Sequence, residues 1–267
     1  MEQAQDFLDE SLALAAIVDP LDDAELRQVT QFKNWTIEDV IGHLYMFTKA
    51  AMLTLKDTKA FREFFQPIAA DLQKGKSLLD TQHDWLGDTG GRKLVSLWRE
   101  GFEMAARAYS TADPKARLAW VGPDMSARSC ITARQMETWA HGQELFDCLG
   151  LERVDTDRIR NIAHLGISTY GWTFVNRKME VPEPMPHVRL VAPSAAIWEW
   201  NDPQDDNVVS GTATEFCQIV TQTRNVADTA IKTVGEAARL WMENAQCFAG
   251  PPHPPPAPGS RHRVVER

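Results

Sequence analysis

Cysteine is scarce in this chain, and what there is lies scattered: Cys130, Cys148, Cys217 and Cys247 form no C-x-x-C pair. That removes a zinc knuckle and gives no support to a disulfide framework, so buried free thiols are the expectation. Positive charge is also in short supply. Lys and Arg number 28 against 37 Asp and Glu, a formal net charge of −9, which disfavours attraction to phosphate backbones or anionic lipid. Nucleic acid is therefore not expected as a partner. No stretch reaches the roughly 18 uninterrupted apolar residues of a membrane span, and the opening MEQAQDFLDESLALAAIVDP has no basic region leading into an apolar core. A cytoplasmic protein without membrane insertion is the expectation. Also missing are a P-loop, a GxGxxG and a GxSxG, so phosphate loops, dinucleotide folds and hydrolase elbows have no motif behind them. There is no internal repeat and no heptad array.

What is present is ordinary globular material, 43% hydrophobic and 24% charged in 267 residues, enough for two modest domains. Residues 1–150 read mainly as helices. Gln3 to Val18 has apolar residues at helical spacing and is stopped by Asp19-Pro20. Thr36 followed by Asp39 resembles a capping box and opens a helix from Ile37 towards Leu55. Phe61 to Leu72 is a shorter candidate, Arg92 to Tyr109 a long one, and Thr132 to Leu149 is closed by Gly150. The Gly122-Pro123-Asp124 turn precedes that last helix. Four principal helices with modest connections predict an antiparallel four-helix bundle.

The composition changes after Gly150. Arg158 to Val175 still looks helical, whereas VPEPMP at 181–186 must be an extended connector. VRLVAP, AIWEWN and NVVSGTAT read as strands, and Glu215 to Val226 and Thr229 to Asn244 as helices. The fold class expected is α+β overall: the bundle at 1–150, a helix, connector and small α+β domain at 151–249, and a Pro-rich tail at 250–267, extended or disordered. His253 and His262 in that tail are poor ligand candidates.

Glu137-Thr-Trp-Ala-His141 is the sharpest chemical feature, because residues four apart share one helix face and can grip one ion. Alone, such a pair is more often a surface interaction. His43 falls beside the apolar stripe of Val40, Ile41, Leu44, Phe47 and Ala51 on the earlier helix, where an antiparallel bundle could set it opposite the pair; a core histidine is its bland alternative. Two imidazoles and one carboxylate make a catalytic zinc set with an open fourth position. Nickel, cobalt, manganese, iron or copper are also admitted by such ligands. Glu144 could stand behind a ligand imidazole as its acceptor, although an ordinary acid on the helix surface is the commoner reading. Trp35, Trp98 and Trp139 are read as core or pocket wall, and Trp198-Glu199-Trp200 as strand alternation.

The strings NWTIEDVIGHL and ETWAHGQELFDCLG resemble the DinB-like metal-binding bundles, in particular the mycothiol-dependent maleylpyruvate isomerase group. That resemblance implies metal ligation by His43, Glu137 and His141. IWEWN, VVSGTATEFCQIVTQTR and AQCFAGPP resemble the sterol-carrier-like α+β module that follows such bundles. There, an arginine after the module's long helix contributes to the active site, and Arg224 is the nearest match, preceded here by Thr223 where the isomerases usually have glycine. Its alternative is an arginine whose stem packs and whose head pairs on the surface.

Three functions follow as expectations. The first is a metal-dependent transferase or isomerase that uses mycothiol or glutathione as a thiolate nucleophile on a small electrophilic, carboxylated substrate, with Arg224 orienting the carboxylate. The second is a hydrolase using metal-bound hydroxide. The third is a noncatalytic lipid or acyl-CoA binding protein. A small-molecule substrate is the partner expected, and a homodimer is left open.

Overall fold

A computed structural model of the chain describes residues 1–122 and 124–265. They divide into two compact units, Met1–Cys148 and Leu149–Arg267. Among the described residues no helix is long and apolar enough to cross a membrane.

In the first unit four long helices, α1 (Glu2–Val18), α2 (Ile37–Lys56), α5 (Gly91–Thr111) and α6 (Ala127–Cys148), pack in a closed ring of pairs. α1 lies against α5 and α6, and α2 lies against the same two. Their shared core contains Phe7 and Leu14, Ile37 and Ile41, Trp98 and Phe102, and Ile131 and Trp139, all essentially inaccessible to water. Each ring the size of Trp139 takes on the order of 200 Å² out of water, about 5 kcal/mol by area before entropy is subtracted. Between α2 and α5 stand α3 (Thr58–Gln73) and α4 (Leu78–Leu86). The sequence pattern shows α3 but passes over α4. That short helix starts where the Ser77 hydroxyl accepts the Asp80 amide at 3.0 Å.

α2 begins as the Thr36–Asp39 pair predicts: Thr36 Oγ1 accepts the Asp39 amide at 3.1 Å, and Asp39 Oδ2 accepts the Thr36 amide at 2.8 Å. α6 starts five residues ahead of the expected Thr132. A two-stranded ladder of β1 (Arg117–Leu118) and β2 (Met125–Ser126) leads directly into it, and Ser126 Oγ accepts the Ser129 amide at 3.1 Å. Within the Gly122-Pro123-Asp124 turn, Pro123 lies outside the described residues.

The second unit carries α7 (Arg160–Ser168), α8 (Tyr170–Val175), α9 (Ala213–Val220) and α10 (Glu236–Asn244) beside a four-stranded sheet. Its strands are β3 (His187–Val191), β4 (Ile197–Trp200), β5 (Val208–Thr212) and β6 (Lys232–Val234), in the order β4-β3-β5-β6. β3 pairs antiparallel with β4 and parallel with β5, and β6 closes the edge antiparallel to β5. Trp198 is buried while its neighbours Ile197 and Glu199 face out, which is the alternation expected of a half-covered strand.

Three sequence readings need correction here. Arg158 to Val175 is two helices, because Thr169 leaves helical geometry while its hydroxyl bonds back to Leu165 O at 2.8 Å. Thr229 to Asn244 is a strand and then a helix. Gly235 separates them at φ +85°, where a Cβ would meet Asp206 O at 2.3 Å, so only glycine fits. The helix read as Glu215 to Val226 stops at Val220, since Gln222 takes φ +58°.

Residues 250–265, marked by composition as extended or disordered, have no helix or strand but are held at intervals. Arg177 Nη2 and Gln222 Nε2 both donate to His253 O, at 2.7 and 2.9 Å, and Asn225 Nδ2 donates to Pro256 O at 2.8 Å. Proline keeps its carbonyl even though it has no amide hydrogen, so side-chain donors can fix a run that cannot pair with itself.

Candidate metal centre

The connection before α2 forms the first wall of the site. Thr30 and Trp35 exchange a backbone bond, Thr30 N to Trp35 O at 2.8 Å, and Trp35 N donates to Phe32 O at 2.8 Å. Lys33 and Asn34, at φ 52° and 59°, make the tight reversal between them. Phe32 and Trp35 are thereby presented on one side of a small loop whose rings meet edge to face at 5.1 Å. One residue later the capping box starts α2, which places His43 two turns in. The string NWTIEDVIGHL thus divides its labour: Thr36 and Asp39 set the helix start, while Trp35 and His43 face the site.

Glu137 and His141 stand one turn apart on α6, which packs against α2. His43 Nε2 lies 3.2 Å from Glu137 Oε2, and His141 Nε2 lies 3.4 Å from the same oxygen. Donor atoms of all three lie within 4.8 Å of one another, in a gathering that brings together residues 94 positions apart in the chain. Two ligands about 2.1 Å from a tetrahedral zinc stand about 3.4 Å apart, so the two short separations suit a shared ion. The donor set fits as well: two imidazole rings and one carboxylate.

Aromatic rings enclose the histidines. Trp35 stacks on His141 (6.3 Å, 8°) and tilts over His43 at 5.6 Å; Phe32 meets His141 edge-on at 5.0 Å, and Phe47 lies 4.7 Å from His43. His43 is 6% exposed, and its Nδ1 has no hydrogen-bond partner among the described residues. Histidines that bind metals are usually oriented by a hydrogen bond at the outer ring nitrogen; the His43 ring is packed against Trp35 and Phe47 instead.

Burial pulls the His43 pKa down to about 4, and the nearby charges of His141 and Arg134 act in the same direction, against the hydrogen bond that Glu137 accepts and its negative charge. Burial pushes the Glu137 carboxyl upward, but hydrogen bonds with His141 and His43 and the Arg134 charge outweigh it and hold the group well below the usual carboxylate range. At neutral pH the site therefore offers a free imidazole lone pair and an ionised carboxylate, the forms in which metals are bound.

Arg134 was not picked out from the sequence. It precedes Glu137 by three residues on the same face of α6, a spacing that could have drawn attention to it. Its Nη2 is 3.8 Å from Glu137 Oε1. Glu144, read as an ordinary surface acid, is 2% exposed; that reading is overturned because α6 is enclosed on nearly every side. Of the cysteines, Cys130, Cys217 and Cys247 are buried thiols outside any disulfide, while Cys148 is half-buried. Arg224 belongs to the second unit, four residues beyond α9, half-buried, with Nη1 donating to Thr223 O at 2.9 Å. His253 bonds through Nδ1 to Gln222 Oε1 at 3.2 Å, in keeping with a structural role.

Comparison with known proteins places the chain. The mycothiol maleylpyruvate isomerase N-terminal domain model matches residues 7–146. Two uncharacterized proteins of Mycobacterium tuberculosis, from strains CDC 1551 / Oshkosh and H37Rv, are each 35% identical over 247 residues, covering 92% of this chain and 95% of theirs. Among solved structures, a point mutant of the mycothiol-dependent maleylpyruvate isomerase superposes with a TM-score of 0.50 at 15% identity, over 82% of this chain and 87% of that one, which is a likeness of fold. With a model match across the helical unit and relatives aligned over nearly their whole length, this chain belongs to the mycothiol maleylpyruvate isomerase N-terminal domain family.

Proposed function

We propose that this protein is a divalent-metal-dependent enzyme that uses a low-molecular-weight thiol, mycothiol or glutathione, as nucleophile in a transferase or isomerase reaction on a small electrophilic substrate. The observation that carries the reading is the convergence of the His43, Glu137 and His141 donor atoms within 4.8 Å. A divalent ion held there, zinc by ligand type, would supply Lewis acidity to a thiol entering at an open coordination position. His43 and His141 contribute neutral nitrogens and Glu137 a single negative charge, so the ligand set leaves net positive charge for an incoming anion. Phe32, Trp35 and Phe47 exclude water from the histidines and strengthen every charge interaction among them.

The sulfur forms a bond to an electrophilic carbon of the substrate. In a transferase the thiol adds across an activated C=C bond: the π bond is spent as the S–C bond forms, and the proton given up by the thiol is matched by one taken up at the neighbouring carbon, so the S–C bond persists. In an isomerase, sulfur adds across an activated C=C bond, the resulting single bond rotates, and sulfur leaves again, so the thiol is regenerated and nothing is oxidised or reduced. Arg224 is assigned the task of orienting a substrate carboxylate through its planar fork.

The test is thiol consumption or substrate isomerisation by metal-reconstituted protein offered mycothiol or glutathione and a panel of small electrophilic acids. Turnover that requires both metal and thiol is expected. Ester or amide turnover without thiol would favour the hydrolase reading, and no turnover above background across the panel would overturn the proposal.

A further inference from the structure

Arg134 is 5% exposed, and its guanidinium sits between two aromatic faces, the Phe47 ring of α2 at 5.5 Å and the Trp120 ring at 5.4 Å. Trp120 follows β1 and is itself stacked on Phe61 of α3 at 5.7 Å and 14°. Three elements therefore fix the plane of one arginine. What that plane meets at its edge is modest for so costly a burial: Nη2 reaches Glu137 Oε1 at 3.8 Å, and Nε is buried with no hydrogen-bond partner among the described residues. Burying a guanidinium costs several kcal/mol unless its hydrogen bonds are well made. A cation beside the ligands also repels a divalent ion, so improving the grip on the metal does not explain it.

The division of the Glu137 carboxylate does. Oε2 faces both imidazoles, at 3.2 and 3.4 Å, whereas Oε1 faces Arg134. A carboxylate free to turn could place both oxygens on one ion and, with two histidines, complete four donors from the protein alone. We infer that Arg134 is a positioning residue for Glu137: it claims Oε1, leaves Oε2 alone to the ion, and so keeps open the coordination position that an exogenous thiol needs. Its positive charge further favours an anionic ligand there over a neutral one. The inference rests on the metal and thiol reading proposed above and adds the residue that holds the position vacant for thiol.

Cobalt(II) tests it without recourse to turnover, since its visible absorption reports coordination number and a bound thiol adds a near-ultraviolet charge-transfer band. Full-length protein, Arg134→Met and Arg134→Lys would be loaded with cobalt(II) and titrated with mycothiol, with melting followed in parallel. Arg134→Met is expected to bind cobalt at least as tightly as the parent, to show the weaker visible bands of a higher coordination number, and, with the open position filled and the nearby positive charge gone, to bind thiol about ten-fold more weakly or worse. Arg134→Lys, which keeps the charge but not the fork, should fall between them. Unchanged spectra and thiol affinity in Arg134→Met would overturn the inference. So would parallel loss of cobalt, thiol and melting temperature, which marks a purely structural role. If the parent takes up no cobalt, the metal reading itself fails and takes this one with it. If the parent binds cobalt but no thiol, the thiol reading fails alone, and the cobalt spectrum of Arg134→Met still decides the position of Glu137.

Discussion

The two units bury polar side chains to opposite ends. In the C-terminal unit, buried or half-buried amides serve the backbone: Gln222 donates to Ala245 O and His253 O, Asn207 to Pro184 O, Gln204 to Met185 O, and Gln246 to Pro251 O. These donors hold proline-rich segments that have few amides of their own. In the helical unit, two ionisable groups keep buried nitrogens without partners among the described residues, His43 at Nδ1 and Arg134 at Nε. The C-terminal unit has such atoms too: Trp241 Nε1 and Asn207 Oδ1 on neutral groups, and His187 Nε2 on a ring whose charged neighbour there is the exposed Glu199 carboxylate at 3.6 Å. A buried polar atom that is satisfied builds structure. One that is left unsatisfied on a chargeable group beside other chargeable groups, as His43 is beside Glu137 and His141, marks a candidate functional site.

The sharpest way to break this contrast is to measure metal. His43→Ala, Glu137→Ala and His141→Ala should each reduce near-stoichiometric metal in protein purified without chelator to a residue, a loss in affinity of about 100-fold or more, whereas Arg224→Ala should keep its metal and lose only activity. Elemental analysis reads both; metal retained by all three ligand variants would sink the assignment. Next in size are the two cores. Trp98→Ala in α5 and Trp241→Ala in α10, both essentially inaccessible to water, should each cost about 3–5 kcal/mol by thermal or urea unfolding, showing that both units depend on packing even though only one carries the candidate centre.

A titration sharpens the comparison further. Folded His43 stays neutral down to about pH 4, while the unfolded chain takes up a proton near the ordinary 6.5. Between those values the unfolded state binds the extra proton, so metal-free protein should lose stability as the pH falls from about 6.5 to about 4, by about 3 kcal/mol in all. The depressed Glu137 acts in the same direction once the pH drops through its ordinary 4.5. Urea unfolding in the presence of chelator at a series of pH values checks this, and a slope unaltered by His43→Gln would remove His43 as its source. Smallest is the helix start: Thr36→Ala should cost about 1 kcal/mol of stability and weaken metal binding only slightly, because α2 is also held by its packing against α5 and α6.

Much of this was legible in the linear order because it depends on neighbours along the chain. Thr36 with Asp39 announces a helix start, Glu137 with His141 lies one turn apart whatever surrounds them, and the Trp198–Trp200 alternation is a property of any strand. Where local signals competed, the reading slipped: the run from Thr229 to Asn244 has enough helix formers to hide one glycine, and only the Asp206 carbonyl beside Gly235 shows why it must break there. His43 and Glu137 meet because α2 and α6 pack, a contact across 94 residues that no spacing encodes. Likewise, the enclosure of Glu144 and the clamping of Arg134 between Phe47 and Trp120 come from side chains that converge only once the helices are in place. Backbone bonding and capping act over a few residues and leave their mark in the order of the chain, whereas burial and charge act through space and exist only after it has folded.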